Sequence, residues 1–78
     1  MEFTDTDTGR VRLFGSRLRE IRLRQNLSQQ QLAELSDLDR TYIGGIERGE
    51  RNPALKNIFR LSDALNIPPT SLFEQEQK

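Results

Sequence analysis

The sequence contains no cysteine, so neither disulfides nor thiolate metal sites can support the fold. It contains no histidine, which removes the commonest general base and the commonest neutral metal ligand. No apolar run approaches the roughly 18 residues needed to span a bilayer. Met1 to Gly9 is acidic and polar, without the positive-then-apolar order of a signal peptide. No stretch alternates like a strand, and none is rich in β-branched residues. These absences predict a soluble, cytoplasmic, all-α chain with no metal and no cofactor. They also argue against an enzyme, because no convergent acid–base set is left to do chemistry.

What is present fits one small domain of 78 residues. A core of this size is marginal, and association with a second copy is a natural way to bury more surface. The formal net charge is zero, but it is unevenly spread. Arg10 to Arg60 holds eleven basic and six acidic residues, a local excess of five positive charges. The balancing acids lie in the two tails and at Asp63. Local sign matters more than the total for a polyanionic partner, so the folded part suits nucleic acid.

Dense punctuation cuts the chain into five expected helices and no sheet. Residues 1–9 read as a loose tail, 10–73 as the domain and 74–78 as a polar C-terminal tail. The first helix should begin near Arg10 or Val11 and end at Gln25, with Phe14, Leu18 and Ile21 on one face. Asn26 suits a C-cap. Ser28 and Gln31 form a capping box for the second helix, and Leu27 and Leu32 have the spacing of a hydrophobic staple. Asp39 caps the third helix, Ile43 and Ile46 face inward, and Gly49 ends it. Asn52-Pro53 marks either a turn or a cap with proline at the first helical position. The fourth helix follows from about Leu55 to Leu65, with Leu55, Ile58, Leu61 and Leu65 on one face and Asn66 as C-cap. Pro68-Pro69 then opens a last short helical turn, Thr70 to Phe73.

The informative unit is residues 28–48: short helix, tight turn, short helix. Ala33 is the small residue that a steep helix crossing needs, and Asp37 is the turn position that must accept positive φ. Leu32, Leu38, Ile43 and Ile46 lock the pair. On the outward side of the third helix stand Arg40, Thr41, Tyr42 and Gly45. The first turn of such a helix enters the major groove, and Arg is the side chain best matched to guanine O6 and N7. Gly44-Gly45 weakens the helix, which calls for a close approach of backbone to DNA or to another helix. Gln29 and Gln30 open the second helix, whose N-terminal amides attract an anion. Arg48, Arg51 and Asn52 follow the third helix as further phosphate candidates. Glu47 falls beside the buried face, and a buried carboxylate must be paired. Arg22 is the expected partner. Turn and cap duties account for Asp37 and Asp39 without a metal.

The run Leu27-Ser28-Gln29-Gln30-Gln31-Leu32-Ala33, followed by Leu38-Asp39-Arg40-Thr41-Tyr42-Ile43-Gly44-Gly45-Ile46-Glu47-Arg48-Gly49 and Arg51-Asn52-Pro53, resembles the phage-repressor-like XRE family. Within it, the run is most similar to the controller proteins of restriction–modification systems. The resemblance covers about residues 14–73. It implies a five-helix phage-repressor-like domain that regulates transcription as a homodimer on palindromic double-stranded DNA. It places Gln29 on a phosphate, Arg40, Thr41 and Gly45 at base-facing positions, and Arg48 and Asn52 near the backbone. It makes Arg22 and Glu47 a structural ion pair. Dimers of the family often form through the fourth and fifth helices, where Phe59, Leu72 and Phe73 have the least work in the core. RNA polymerase is the further partner if the protein activates. Asp37 in place of a turn glycine, Gly45 in place of a longer polar residue and Ala54 in place of a capping Ser or Thr depart from the family pattern. A prophage-type repressor, an antitoxin and a protein-binding adaptor are the competing readings.

Overall fold

The computed structural model describes residues 3–74. Its elements follow in the order α1 (Phe3–Arg24), α2 (Gln29–Ser36), α3 (Arg40–Glu47), α4 (Leu55–Leu65) and a 3₁₀ helix (Pro69–Phe73). Among the described residues there is no strand. The expected count of five helices is therefore corrected to four α-helices and a terminal 3₁₀ turn. That turn is five residues long and starts on a proline, too short for the α-helical hydrogen-bond ladder to establish itself.

Helix α1 begins at Phe3, well before Arg10, so the described part of the expected loose tail is helical. Apolar periodicity gives no warning of this, because the extra turns carry Thr, Asp and Gly. Met1, Glu2 and the tail residues 75–78 lie outside the described residues.

The helix boundaries follow from local chemistry. Ser28 Oγ accepts from Gln31 N at 3.0 Å, and Gln31 Oε1 accepts from Ser28 N at 2.8 Å, which completes the capping box. Asp39 Oδ1 accepts from Thr41 N at 3.1 Å. Asn26, Asp37 and Asn66 turn the chain with φ of 59°, 58° and 57°, as Asn and Asp tolerate, and Gly49 does so at 77°. Pro53 stays outside α4, whose N-cap is Ala54, so proline does not take the first helical position; Asn52-Pro53 lies in the irregular loop between α3 and α4.

Helix α3 packs on both α1 and α2, α4 covers α2, and the 3₁₀ helix closes on α1 and α4. The core contains Phe14, Leu18 and Ile21 of α1, Leu32 and Ala33 of α2, and Ile43 and Ile46 of α3; Leu61, Leu65 and Leu72 complete it. Two expectations are corrected. Leu55, expected on the buried face of α4, is 68% exposed, because the first residue of that helix precedes its contact with the core. Leu72, expected at a dimer surface, is fully buried. The 3₁₀ turn points Leu72 into the core with Leu61 and Leu65 and leaves Phe73 exposed.

Candidate nucleic-acid interface

The site is anchored from below by Glu47, at the end of α3. Its carboxylate is buried and meets Arg22 of α1 twice, Nε to Oε2 at 2.7 Å and Nη2 to Oε1 at 2.9 Å. A planar guanidinium fits a carboxylate in this two-bond geometry. Arg22 Nη1 also donates to the Leu27 carbonyl at 2.7 Å, which fixes the approach to α2. Its hydrogen bond to Glu47 raises the Arg22 pKa above the ordinary arginine value; burial opposes and the carboxylate charge assists. No buried side-chain polar atom among the described residues lacks a partner. The ion pair therefore ties α1, the α1–α2 turn and α3 into one unit.

Gln29, at the start of α2, completes the network by donating from Nε2 to Glu47 Oε1 at 3.0 Å. One amide hydrogen of Gln29 is thus used within the protein. A Cβ at position 44 would be in ordinary contact with Gln29 Oε1, at 3.5 Å, and nearer to Arg48 Nη1, at 3.1 Å, so Gln29 and Arg48 both lie over this glycine. Gln30 is exposed and donates to Glu34 at 3.2 Å.

Above this base, Arg40 and Thr41 occupy the first turn of α3 and are exposed. Tyr42 is half-buried and leans on the core. Its hydroxyl accepts from Ala54 N at 3.2 Å and from Asn57 Nδ2 at 3.1 Å, so it is held at the start of α4. Gly45 is buried, although it was expected to face out. What covers it is the stem of Arg51, whose Cγ would be 2.6 Å from a Cβ at that position. Arg51 and Asn52 are exposed in the loop after α3. Thr41, Tyr42, Arg51 and Asn57 line one shallow open depression.

The cations differ in availability. Arg48 Nη2 pairs with Glu50 at 3.1 Å, an exposed pair of little energetic weight. Arg40 and Arg51 have no ion-pair partner among the described residues. Gln29 and Arg48 meet over Gly44, and Thr41, Tyr42 and Arg51 converge beside Gly45, so most of the expected contact residues fall on one side of α3. The expected interface residues are split. Phe59 is 49% exposed on α4, Leu72 is in the core, and Phe73 rests on Phe14 with ring centroids 5.2 Å apart.

Two residues were not singled out from the sequence. Gly15 of α1 is buried against α3, and a Cβ there would collide with the Ile46 carbonyl oxygen. A lone glycine inside a helical pattern was the available signal. Arg12 of α1 lies over Gly49, at the opposite end of α3 from Arg40, and nothing local in the sequence pairs them.

No group of acidic residues able to hold a metal ion occurs among the described residues. The arrangement can present guanidinium, hydroxyl and amide donors to an anionic, hydrogen-bonding partner. Comparison with known proteins agrees. Residues 18–72 match the helix-turn-helix family model. Control protein C.BamHI of Bacillus amyloliquefaciens is 49% identical over 69 residues, covering 86% of this chain and 85% of its own length. The crystal structure of the restriction–modification controller protein C.AhdI from Aeromonas hydrophila superposes with a TM-score of 0.80 at 56% identity, covering 81% of this chain and 96% of that one. The controller protein C.Esp1396I, solved as a tetramer on its natural 35 base-pair operator, gives 0.75 at 35% identity, covering 81% and 83%. The chain belongs to the helix-turn-helix family and, within it, to the controller proteins of restriction–modification systems.

Proposed function

We propose that this protein is a sequence-specific DNA-binding transcriptional regulator of the restriction–modification controller type. The observation that carries the proposal is the pair of guanidiniums, Arg40 and Arg51, without ion-pair partners among the described residues, on the outward side of a capped and rigidly anchored α3. A protein-binding adaptor on the same fold has no use for that pair. In this reading α3 enters the major groove, where Arg40 and Thr41 contact base edges. Gln29, Gln30, Arg48 and Asn52 hold phosphates. Tyr42 shapes the floor beside Thr41. Two copies related by a two-fold axis read half-sites about one helical turn apart, and Phe59 lies in the interface between them. RNA polymerase is the further partner where binding activates.

The test is fluorescence anisotropy against a pool of random duplexes at two salt concentrations, followed by sequencing of the bound fraction. The expected result is an enriched palindrome and an affinity that falls steeply with salt, by close to one logarithmic unit of affinity per unit of log salt for each phosphate held. The Arg40→Ala variant should still bind but with a relaxed preference at one position of each half-site. Equal weakening on every sequence would make Arg40 a phosphate contact. Absence of binding even at low salt would reject the proposal.

A further inference from the structure

Gly45 follows Thr41 by four residues and so shares its side of α3. It has no side chain, yet it is buried, and Arg51 buries it. A Cβ on Gly45 would lie 2.6 Å from Arg51 Cγ and 3.6 Å from both Cβ and Nε. The Arg51 stem therefore lies flat on the bare backbone of the helix. The loop between them is clamped as well. The Gly45 carbonyl accepts from Glu50 N at 2.8 Å and from Arg51 N at 3.2 Å. Arg51 thus starts on the carbonyl of the residue its own side chain covers. Its guanidinium has no ion-pair partner among the described residues. Arg51 lines the same depression as Thr41, whose wall also carries Asp37 and Asp39.

The two adjacent glycines differ in what an added methyl group would meet. At Gly44 it meets first the tip of Arg48, Nη1 at 3.1 Å, which can swing aside. At Gly45 it meets Cγ, close to a backbone that is already clamped. Relief there requires a different rotamer for the whole Arg51 side chain. Glycine in a helix interior is destabilising relative to alanine, so its presence at 45 calls for a compensating role.

We infer that Gly45 is a positioning residue for Arg51: the missing Cβ seats the Arg51 stem across α3 beside Thr41, and the guanidinium supplies the base contact that residue 45 cannot make. The inference rests on the DNA-binding reading above. The ligand group is a base edge in the major groove, for which a guanidinium is best matched to guanine.

A double-mutant cycle tests it, with Gly45→Ala, Arg51→Ala and the double variant, each checked for folding by circular dichroism. The probes are the duplex that the parent protein enriches from a random pool and the random pool itself, at one salt concentration. Each single variant should lower the ratio of the two affinities by roughly tenfold, the scale of one good base contact. The double variant should be no worse than Arg51→Ala alone, because the glycine then has nothing to seat. Losses that multiply would show that Gly45 acts by itself and would overturn the inference. So would a Gly45→Ala protein that discriminates like the parent, or losses equal on both probes, which would make Arg51 a phosphate contact. Should Gly45→Ala alone fold poorly, the comparison of Arg51→Ala with the double variant, where the colliding stem is gone, still reads the independent effect of the glycine. If the parent enriches no duplex at all, the DNA-binding reading fails first and this inference falls with it.

Discussion

Glu47 is tolerable as a buried carboxylate only because three donors from two other elements reach it: Nε and Nη2 of Arg22 and Nε2 of Gln29. Removing one partner of such a pair leaves the other charge buried and uncompensated, at a cost of about 3–5 kcal/mol. Glu47→Ala should therefore unfold at a markedly lower urea concentration than the parent. A loss below about 1 kcal/mol would mean that water reaches the site and the pair is ornamental. Arg22, whose pKa is raised, contributes its share fully below the ordinary arginine value and loses it only as pH rises beyond the raised one. The pair therefore gives no reason for stability to change around neutral pH on the arginine side. This pairing is legible in the sequence, because Glu47 sits beside an apolar helical face and a buried acid demands a base. The Gly45–Arg51 contact is not. A glycine in a pattern says only that something comes close, and the closing loop decides what.

At the scale of the element, the starts of α2, α3 and α4 divide into two capped by side chains and one that is not. Ser28 and Asp39 accept backbone N–H groups, whereas Ala54 makes no side-chain cap bond. The Ala54 backbone already has the extended conformation of an N-cap, with φ −67° and ψ 151°. Ala54→Ser or Ala54→Asp should therefore satisfy an open donor of α4 without rearrangement and add about 0.5–2 kcal/mol. For a domain of this size each 1 kcal/mol raises the melting temperature by roughly 4–8 °C. An unchanged melting temperature would show that the first-turn N–H groups of α4 are already satisfied by solvent. Caps, turns and interior helix faces are written in short-range patterns, which is why α2, α3 and their turn read correctly from sequence. The early start of α1 and the 3₁₀ geometry after Pro69 were not readable in the same way. The first has no apolar period to detect, and the second depends on how few residues remain to be packed against α1 and α4.

At the scale of the whole molecule, the proposed homodimer needs an apolar face that the fold leaves uncovered. Leu55 and Phe59 stand four residues apart on α4 and are both exposed, so they form one apolar stripe. Phe73 is also exposed but is engaged with Phe14 of its own chain. The sequence could not separate these roles, because each residue looks like an apolar group without a core partner. The folded chain assigns them different costs. Phe59→Asp places a charge on the stripe and should shift the protein, at micromolar concentration, from twice its 9.1 kDa mass toward the single-chain mass in light scattering. It should leave the melting temperature of the isolated chain nearly unchanged, since the ring makes no contribution to the buried cluster. Phe73→Asp should do the reverse, lowering the melting temperature through loss of the Phe14 contact while leaving the dimer mass intact. A Phe59→Asp protein that remains dimeric would remove α4 from the interface. A Phe73→Asp protein that becomes monomeric would move the interface to the surface shared by α1 and the 3₁₀ helix, which would set the two α3 helices in a different relation and change the half-site spacing they can read.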